Sequence, residues 1–464
     1  MSTTTRLNQI AFSVVDLRRT EAWFRTAFGL VPAGGTRSFR GRLTSLCQGL
    51  PKAASTTWWL VGRDDYVQLE LFQFESPQSK LLPPDYRPCD IGYSRVGIFV
   101  QDFDATLARL NELGSPPVTA PMGEPGRRRV CVRSPDDVFI EVMEEDVLAG
   151  HTRTVRPDCR AAPRYVTASV ADLEASKQFF MGALRLKESA VALHGPEHEA
   201  LWGLPGASRK SVVLDGGDVL VELVQYLDPI GKPWPNGYRI SDQGLLNIAF
   251  GYRRMRDLIA DYRRTHDVGA RPNFMPLYVL NWGVVYVNDV QGFSVELLSV
   301  RPRWDGPMGF LAQPIEKRPP PDNHAVERTT WIDASVDKVW HLLGDHRGMP
   351  GWFPVDNVAL EHEGVPAPNG VGAERVMRGA RLNLREQVIG WDEPRVLRYR
   401  LLDGAPIVCH QGRVELRPAR GGTDVTWSIR YRPKIPGTAG LVRRAMQKLL
   451  DDALPRLKAR AEHG

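Results

Sequence analysis

The strongest constraint on this chain is a repeat. The stretch Ile10 to Leu30, IAFSVVDLRRTEAWFRTAFGL, returns at Val166 to Leu186 as VTASVADLEASKQFFMGALRL. Each copy is a short β-type run, an Asp-Leu turn (Asp16-Leu17 and Asp172-Leu173) and an amphipathic helix. Fainter echoes stand at Val96 to Gly114 and at Asn247 to Gly269. Four strand–helix openings mean four copies of one unit, and such a unit cannot bury its apolar face alone. The copies must therefore pack on one another.

The likeness continues downstream of each opening. SLCQGLPKAAS (Ser45 to Ser55) and ALWGLPGAS (Ala200 to Ser208) precede the strand-like runs DYVQLELFQF (Asp65 to Phe74) and GDVLVELVQY (Gly217 to Tyr226). The second and fourth units close with PDDVFIEVMEE (Pro135 to Glu145) and NDVQGFSVELLS (Asn288 to Ser299), an Asp- or Gly-rich turn feeding a strand that carries a Glu. In these features the chain resembles the vicinal oxygen chelate superfamily, the group of glyoxalases, bleomycin-resistance proteins and extradiol dioxygenases. The resemblance implies βαβββ units that pair so that their curled sheets enclose a cup. With consecutive units paired, one such domain is expected over 1–148 and a second over 163–301.

The size fits this reading with room to spare, since 464 residues suggest three domains of about 150 each. At 42% hydrophobic and 25% charged the composition is that of an ordered globular chain. The net charge of +6 comes from arginines spread through every segment and offset by nearby acids. The densest basic run, Arg127-Arg128-Arg129, flanks a strand-like Val130-Cys131-Val132, so no nucleic-acid partner is expected. Five scattered cysteines without a Cys-x-x-Cys argue against a disulfide framework or zinc knuckle and favour a reducing cytoplasm. MSTTTRLNQIAF has no apolar core of signal-peptide length, and no run of about eighteen apolar residues occurs anywhere. Neither secretion nor a membrane partner is expected.

Two linkers divide the chain. Asp146 to Pro163 interrupts the pattern between unit pairs, and Arg301 to Asn323 is rich in Pro, which continues neither helix nor sheet interior. A last domain over 324–464 has a different grammar. ERTTWIDASVDKVWHLLGDHRGMPGWFP reads as a strand, a helix capped by Ser335 and a loop holding Trp352 and Phe353. Five antiparallel candidates follow, and then a helical pattern of Val442, Met446, Leu449, Ala453 and Leu457, with Pro455 predicting a kink or an early break. ASVDKVWHLLGD, PGWFP, GWDEPRVLRYR, GGTDVTWSIRY and the terminal helix resemble the START/polyketide-cyclase superfamily, often called SRPBCC. That resemblance implies a helix-grip fold with a deep apolar cavity. The fold class expected of the whole is α+β.

The first resemblance also implies where cup residues lie. In metal-dependent relatives His, Gln or Glu from the first and last strands of paired units bind a divalent ion. Counting from the Asp-Leu turns, the first-strand positions here are Gln9, Arg95, Tyr165 and Asn247, and the last-strand positions are Glu70, Glu141, Glu222 and Glu296. With consecutive units paired, Gln9, Glu70, Arg95 and Glu141 would share one cup, where a permanent cation neutralises the carboxylates and repels a metal. Tyr165, Glu222, Asn247 and Glu296 would share the other, without the two His of an iron facial triad. Polar, substrate-facing cups with no metal and no cofactor are therefore expected. His194 and His198 are interrupted by Gly195-Pro196 and read as a loop at a cup mouth, and His341 and His346 as surface or loop residues.

Strand alternation in the last domain turns Glu386 and His410 inward, with Tyr399 on the apolar face of Leu397 and Leu401. A carboxylate and an imidazole in an apolar cavity suit enolisation, aldol closure or dehydration of a polycarbonyl. A buried Glu–His pair that satisfies itself is the structural alternative. Trp352 is a further candidate for substrate contact. Three functions stay open: a metal-independent cyclase acting on a hydrophobic polyketide-like or aromatic molecule, by aldol, dehydrative or pericyclic closure; a metal-dependent lyase, isomerase or extradiol-type dioxygenase; and a non-catalytic antibiotic-binding protein. A hydrophobic small molecule is the expected partner, and a monomer or homodimer the expected state.

Overall fold

The computed structural model describes residues 6–150, 156, 159–273, 283–313, 324–379 and 382–464. It has two compact units, Met1–Pro319 and Pro320–Gly464, and an α+β architecture of three sheets. The first repeat supplies β1 (Arg6–Ser13), α1 (Leu17–Phe28), β2 (Val31–Arg40), α2 (Arg42–Gln48), β3 (Ala54–Val61) and β4 (Gln68–Ser76). The second supplies β5 (Gly92–Val100), α3 (Phe103–Glu112), β6 (Arg129–Arg133) and β7 (Phe139–Met143). The third brings β8 (Ala161–Ser169), α4 (Leu173–Lys177), β9 (Lys187–Glu188), β10 (Ser208–Asp215) and β11 (Leu220–Asp228). The fourth brings β12 (Gly244–Tyr252), α5 (Met255–Asp267), β13 (Arg271–Pro272), β14 (Gly283–Asn288) and β15 (Ser294–Ser299). The two Asp-Leu turns are N-caps: Asp16 accepts from the Arg19 amide at 3.2 Å and Asp172 from the Ala175 amide at 3.0 Å.

The order of strands corrects the expected pairing. Sheet I runs β13-β14-β15-β12-β1-β4-β3-β2 and joins the first repeat to the fourth. Sheet II runs β6-β7-β5-β8-β11-β10-β9 and joins the second to the third. Each sheet thus takes one unit from 1–148 and one from 163–301, so neither stretch forms a cup by itself. The physical reason lies in the self-similarity of the units. Four copies with the same apolar alternation offer the same pairing face, and the choice of partner falls to the connections. The segment after β7 leads to β8 in its own sheet, on the far side of β5, whereas those after β4 and β11 cross between sheets.

Alternation decides what each strand buries. Ile10 and Phe12, Leu69 and Leu71, Val96 and Ile98, Ile140 and Val142, and Val295 and Leu297 all enter one core shared by both sheets, together with Trp23, Phe24 and Phe28 of α1. The intervening positions, Gln9, Glu70, Arg95, Glu141 and Glu296 among them, take the opposite, concave faces.

In the second unit β16 (His324–Ile332), α6 (Val336–Gly344), β17 (Asn357–His362), β18 (Glu374–Gly379), β19 (Leu382–Asp392), β20 (Val396–Asp403), β21 (Ile407–Ala419) and β22 (Gly422–Pro433) precede α7 (Ala439–His463). The antiparallel sheet III runs β16-β22-β21-β20-β19-β18-β17. Ser335 caps α6, accepting from the Lys338 amide at 3.3 Å. The expected break at Pro455 does not occur, and α7 continues to His463. Leu450, Ala453, Leu454 and Leu457 are buried on either side of the proline, so packing holds the helix across the lost hydrogen bond. Among the described residues no helix is long and apolar enough to cross a membrane.

Candidate functional site

The eight cup positions are brought together in two sets different from those expected. Cup II, on sheet II, holds Arg95, Glu141, Tyr165 and Glu222. Its center is a residue that alternation could not place. The His194 ring, with no side-chain exposure, lies between two carboxylates, Nε2 2.9 Å from Glu141 Oε2 and Nδ1 2.9 Å from Glu222 Oε1. It is a plug in the cup and not a loop at its mouth. Burial alone would strip the ring of its proton, but Glu222 and Glu141 raise its pKa above the usual value. Burial likewise works against the carboxylates, yet His194 and the neighbouring cations hold Glu141 down to about 2 and Glu222 lower still. The ring is therefore an imidazolium that donates to both.

The remaining groups close the network. Arg95 is fully buried, donates to Tyr226 Oη at 2.9 Å and to Glu222 at 3.3 Å, and lies 4.0 Å over the Trp202 ring. Arg129 donates to Glu141 and to the Leu193 carbonyl, both at 3.0 Å, Tyr165 Oη donates to Glu141, and Thr167 donates to Glu222 at 2.8 Å. Tyr165 fits because its strand partner is Gly97, where a Cβ would stand 1.8 Å from the Tyr165 ring. Cup II carries its own cations and leaves no carboxylate for a metal.

Cup I, on sheet I, holds Gln9, Glu70, Asn247 and Glu296, and it is built in the opposite way. Gln9 donates to Gln68 Oε1 at 2.7 Å and Trp59 Nε1 to Glu70 Oε1 at 2.8 Å. Gln9 Oε1, Glu70 Oε2, Glu296 Oε2 and Asn247 Oδ1 are buried without hydrogen-bond partners. Burial lifts the Glu296 carboxyl to about 7, against the pull of Tyr286 and Asn247. Burial lifts Glu70 well above the carboxylate range too, and the Glu296 charge adds to the rise. Arg95 is absent from this set, so the argument that a fixed cation repels a metal holds for cup II and not for cup I. Two carboxylates and two amide oxygens, each with a free acceptor, fit a hard divalent cation bound through oxygen. They do not fit an iron facial triad, which needs two imidazoles. Among the described residues no group of three His, Cys, Asp or Glu is placed to hold a metal ion, so the amides would complete the set.

The helix-grip unit holds a partly open cavity whose lining includes Glu386, Tyr399 and His410. Glu386 is paired with Arg375 and not with His410, with Arg375 donating to Glu386 Oε2 at 2.9 and 3.2 Å. Even so, burial outweighs the arginine and raises the Glu386 carboxyl. His410 Nδ1 accepts from the Leu401 amide at 3.1 Å, which leaves the ring proton on Nε2. Burial, with the Arg375 charge, lowers its pKa to about 4, so the ring is neutral at pH 7. Tyr399 Oη accepts from Trp427 Nε1 at 2.8 Å. The Tyr399 ring covers Gly412, where a Cβ would lie 2.2 Å from it.

Trp352 packs into the core beside Trp427, its Nε1 bonded to the Leu342 carbonyl at 3.2 Å, while Phe353 lines the cavity in its stead. His346 is buried, not a surface residue, with both ring nitrogens unpartnered. Burial first, then Arg375, lowers its pKa to about 2. Arg375 escaped the sequence reading, although it shares parity with Met377, another cavity-lining residue.

Residues 8–132 match the family model described as glyoxalase/bleomycin resistance protein/dioxygenase superfamily. Residues 323–462 match that of polyketide cyclase/dehydrase and lipid transport. The chain joins a vicinal oxygen chelate region to a polyketide-cyclase-type domain. Both models point to a small-molecule binding or metabolic role. Among solved structures, a glyoxalase I mutant from Zea mays is similar to this chain at 17% identity, over 64% of this chain and 94% of that one, with a TM-score of 0.44. A START superfamily protein from Mycobacterium smegmatis is similar at 15% identity, over 30% and 97%, with a TM-score of 0.27. A protein from Thermobifida fusca is similar at 26% identity, over 30% and 97%, with a TM-score of 0.27. No curated protein matches the chain.

Proposed function

We propose that the helix-grip cavity closes or dehydrates a ring on a hydrophobic, carbonyl-rich substrate. The observation that carries this reading is one apolar cavity holding a buried Glu386–Arg375 pair and a neutral His410. The Glu386 carboxylate, its pKa raised by burial, takes a proton from carbon alpha to a carbonyl and gives it to the alkoxide that forms when the carbon–carbon bond closes. Arg375 and the Nε2–H of His410 are the donors suited to the enolate oxygen that forms in between. The enolate carbon then attacks a second carbonyl of the same molecule, and once the alkoxide is protonated Glu386 removes the second alpha proton and passes it to the departing hydroxyl, so that water leaves and the ring is complete. Apolar walls from Phe353, Met377, Leu384, Leu401, Ile407 and Ile429 would fold the substrate so that the two carbons meet.

The test is turnover of a linear polycarbonyl by the full chain. Glu386→Gln should lower kcat about 10²–10⁴-fold with little change in KM, and His410→Ala should lower it as well. Undiminished turnover in Glu386→Gln would sink the proposal.

A second reading rests on the four unpartnered oxygens of cup I. A divalent ion held by Gln9, Glu70, Asn247 and Glu296 would polarise a substrate carbonyl there. Metal analysis after incubation with magnesium, manganese, nickel, zinc and iron decides it. Retention of about one equivalent, lost in Glu296→Ala, supports this reading, and a metal-free protein dismisses it.

A further inference from the structure

The connections that cross between the two sheets are themselves copies. Pro77 to Gly92, PQSKLLPPDYRPCDIG, matches Pro229 to Gly244, PIGKPWPNGYRISDQG, at Lys80/Lys232, Tyr86/Tyr238, Arg87/Arg239, Asp90/Asp242 and Gly92/Gly244. They clasp each other reciprocally. The Lys80 amide donates to Asp242 Oδ1 at 3.0 Å and the Lys232 amide to Asp90 Oδ1 at 2.9 Å. The Gln243 amide donates to the Lys80 carbonyl and the Ile91 amide to the Lys232 carbonyl, both at 2.9 Å. Each glycine admits the other connection, since a Cβ at Gly92 would come 3.2 Å from the Trp234 ring and one at Gly244 3.6 Å from Leu82.

Between the two copies lies a pocket open to solvent, distinct from either cup, lined by Lys80, Leu82, Tyr86, Tyr93, Trp234 and Tyr238 among others. Two departures from symmetry give it a chemistry. Where the first connection has Leu82 the second has Trp234, which stacks on Tyr238 at 4.3 Å and 24° and so makes one wall aromatic. Where the first has Asp85 the second has Gly237. Lys232 therefore has the Asp85 carboxylate as partner, whereas Lys80 meets only the Gly237 carbonyl, at 3.4 Å. An aromatic wall thus stands in the same cavity as an ammonium group with no carboxylate paired to it among the described residues.

We propose that this clasp cavity binds a flat aromatic molecule carrying one anionic group, its ring against Trp234 and its charge at Lys80. An indole face takes a planar ring, and a lysine takes an anion as a point charge without demanding a particular geometry.

The probe is 8-anilinonaphthalene-1-sulfonate, an aromatic anion whose fluorescence rises on binding, titrated into the full chain. Saturable binding should weaken at least about fivefold in Trp234→Leu, which copies the first connection's residue. Binding should weaken about threefold in the exposed-site variant Lys80→Gln, which should also lose its salt dependence. Met446→Trp, at a residue that lines the helix-grip cavity, should leave these constants unchanged. Lack of saturable binding, a dissociation constant that either clasp variant leaves unchanged, or binding abolished by Met446→Trp would overturn the proposal. If circular dichroism shows Trp234→Leu to be misfolded, Lys80→Gln alone decides.

Discussion

Replacing His194 by alanine tests the account of cup II directly. The ring donates to two buried carboxylates at 2.9 Å each and sets its edge against Tyr165 and Trp202, with centroids 5.0 and 5.1 Å apart. Glu141 keeps Arg129 and Glu222 keeps Arg95 in the variant, but each loses a donor at 2.9 Å and a cavity opens between them. Breaking a buried ion pair from one side costs about 3–5 kcal/mol, and that is the expected loss of stability. His194→Gln, which can serve only one carboxylate, should lose less, about 1–3 kcal/mol. The sign of the pH dependence follows from the shifts. The contribution of His194 is complete below its ordinary value of 6.5 and fades as pH rises through its raised folded value. Those of Glu141 and Glu222 are complete above 4.5 and fade only as pH falls, toward about 2 for Glu141. The difference between wild type and His194→Ala should therefore be largest between these limits and shrink on the alkaline side. Urea unfolding followed by circular dichroism at a series of pH values measures it. A loss under about 1 kcal/mol near pH 6, or one that grows with alkalinity, would refute the imidazolium plug.

Other consequences are simpler to check. Gly412→Ala forces the Tyr399 ring out of place, so it should cost about 1–3 kcal/mol of stability and lower turnover more than Trp352→Phe, a change confined to the core. If cup I takes a divalent ion, the raised carboxyls of Glu70 and Glu296 must release protons as it binds. Affinity measured by calorimetry should then rise with pH through about 7, and a flat profile would count against that site.

Much of this was legible in the chain because alternation is local. The resemblance to vicinal oxygen chelate proteins implied that Gln9, Glu70, Glu141 and Glu222 face a cup, and strand parity turned Glu386 and His410 into one cavity, without knowledge of any partner. Which cup a residue joins is not local. Arg95 was assigned to the carboxylates of its own half, and the sheet order gives it to Glu222, because four similar units cannot announce which pairs with which. His194 lies in a stretch with no period, between a two-residue strand and a short helical turn, so nothing in its spacing pointed inward. Arg375 was hidden for a different reason: a buried arginine is rare enough that its parity with Met377 carried little weight.

The order of strands also says something about how such a chain is made. Sheet II draws on one continuous stretch, β5 to β11, and can close as soon as Asp228 has left the ribosome. Sheet I is its bracket, opened by β1 and closed only by β12 to β15. During synthesis the hydrogen-bonding edge of β1 must wait, exposed, while about 230 residues of intervening chain, 14–243, are added and folded. A chain cut between the second and third repeats, where a domain boundary would be sought, would own half of each sheet and the whole of neither.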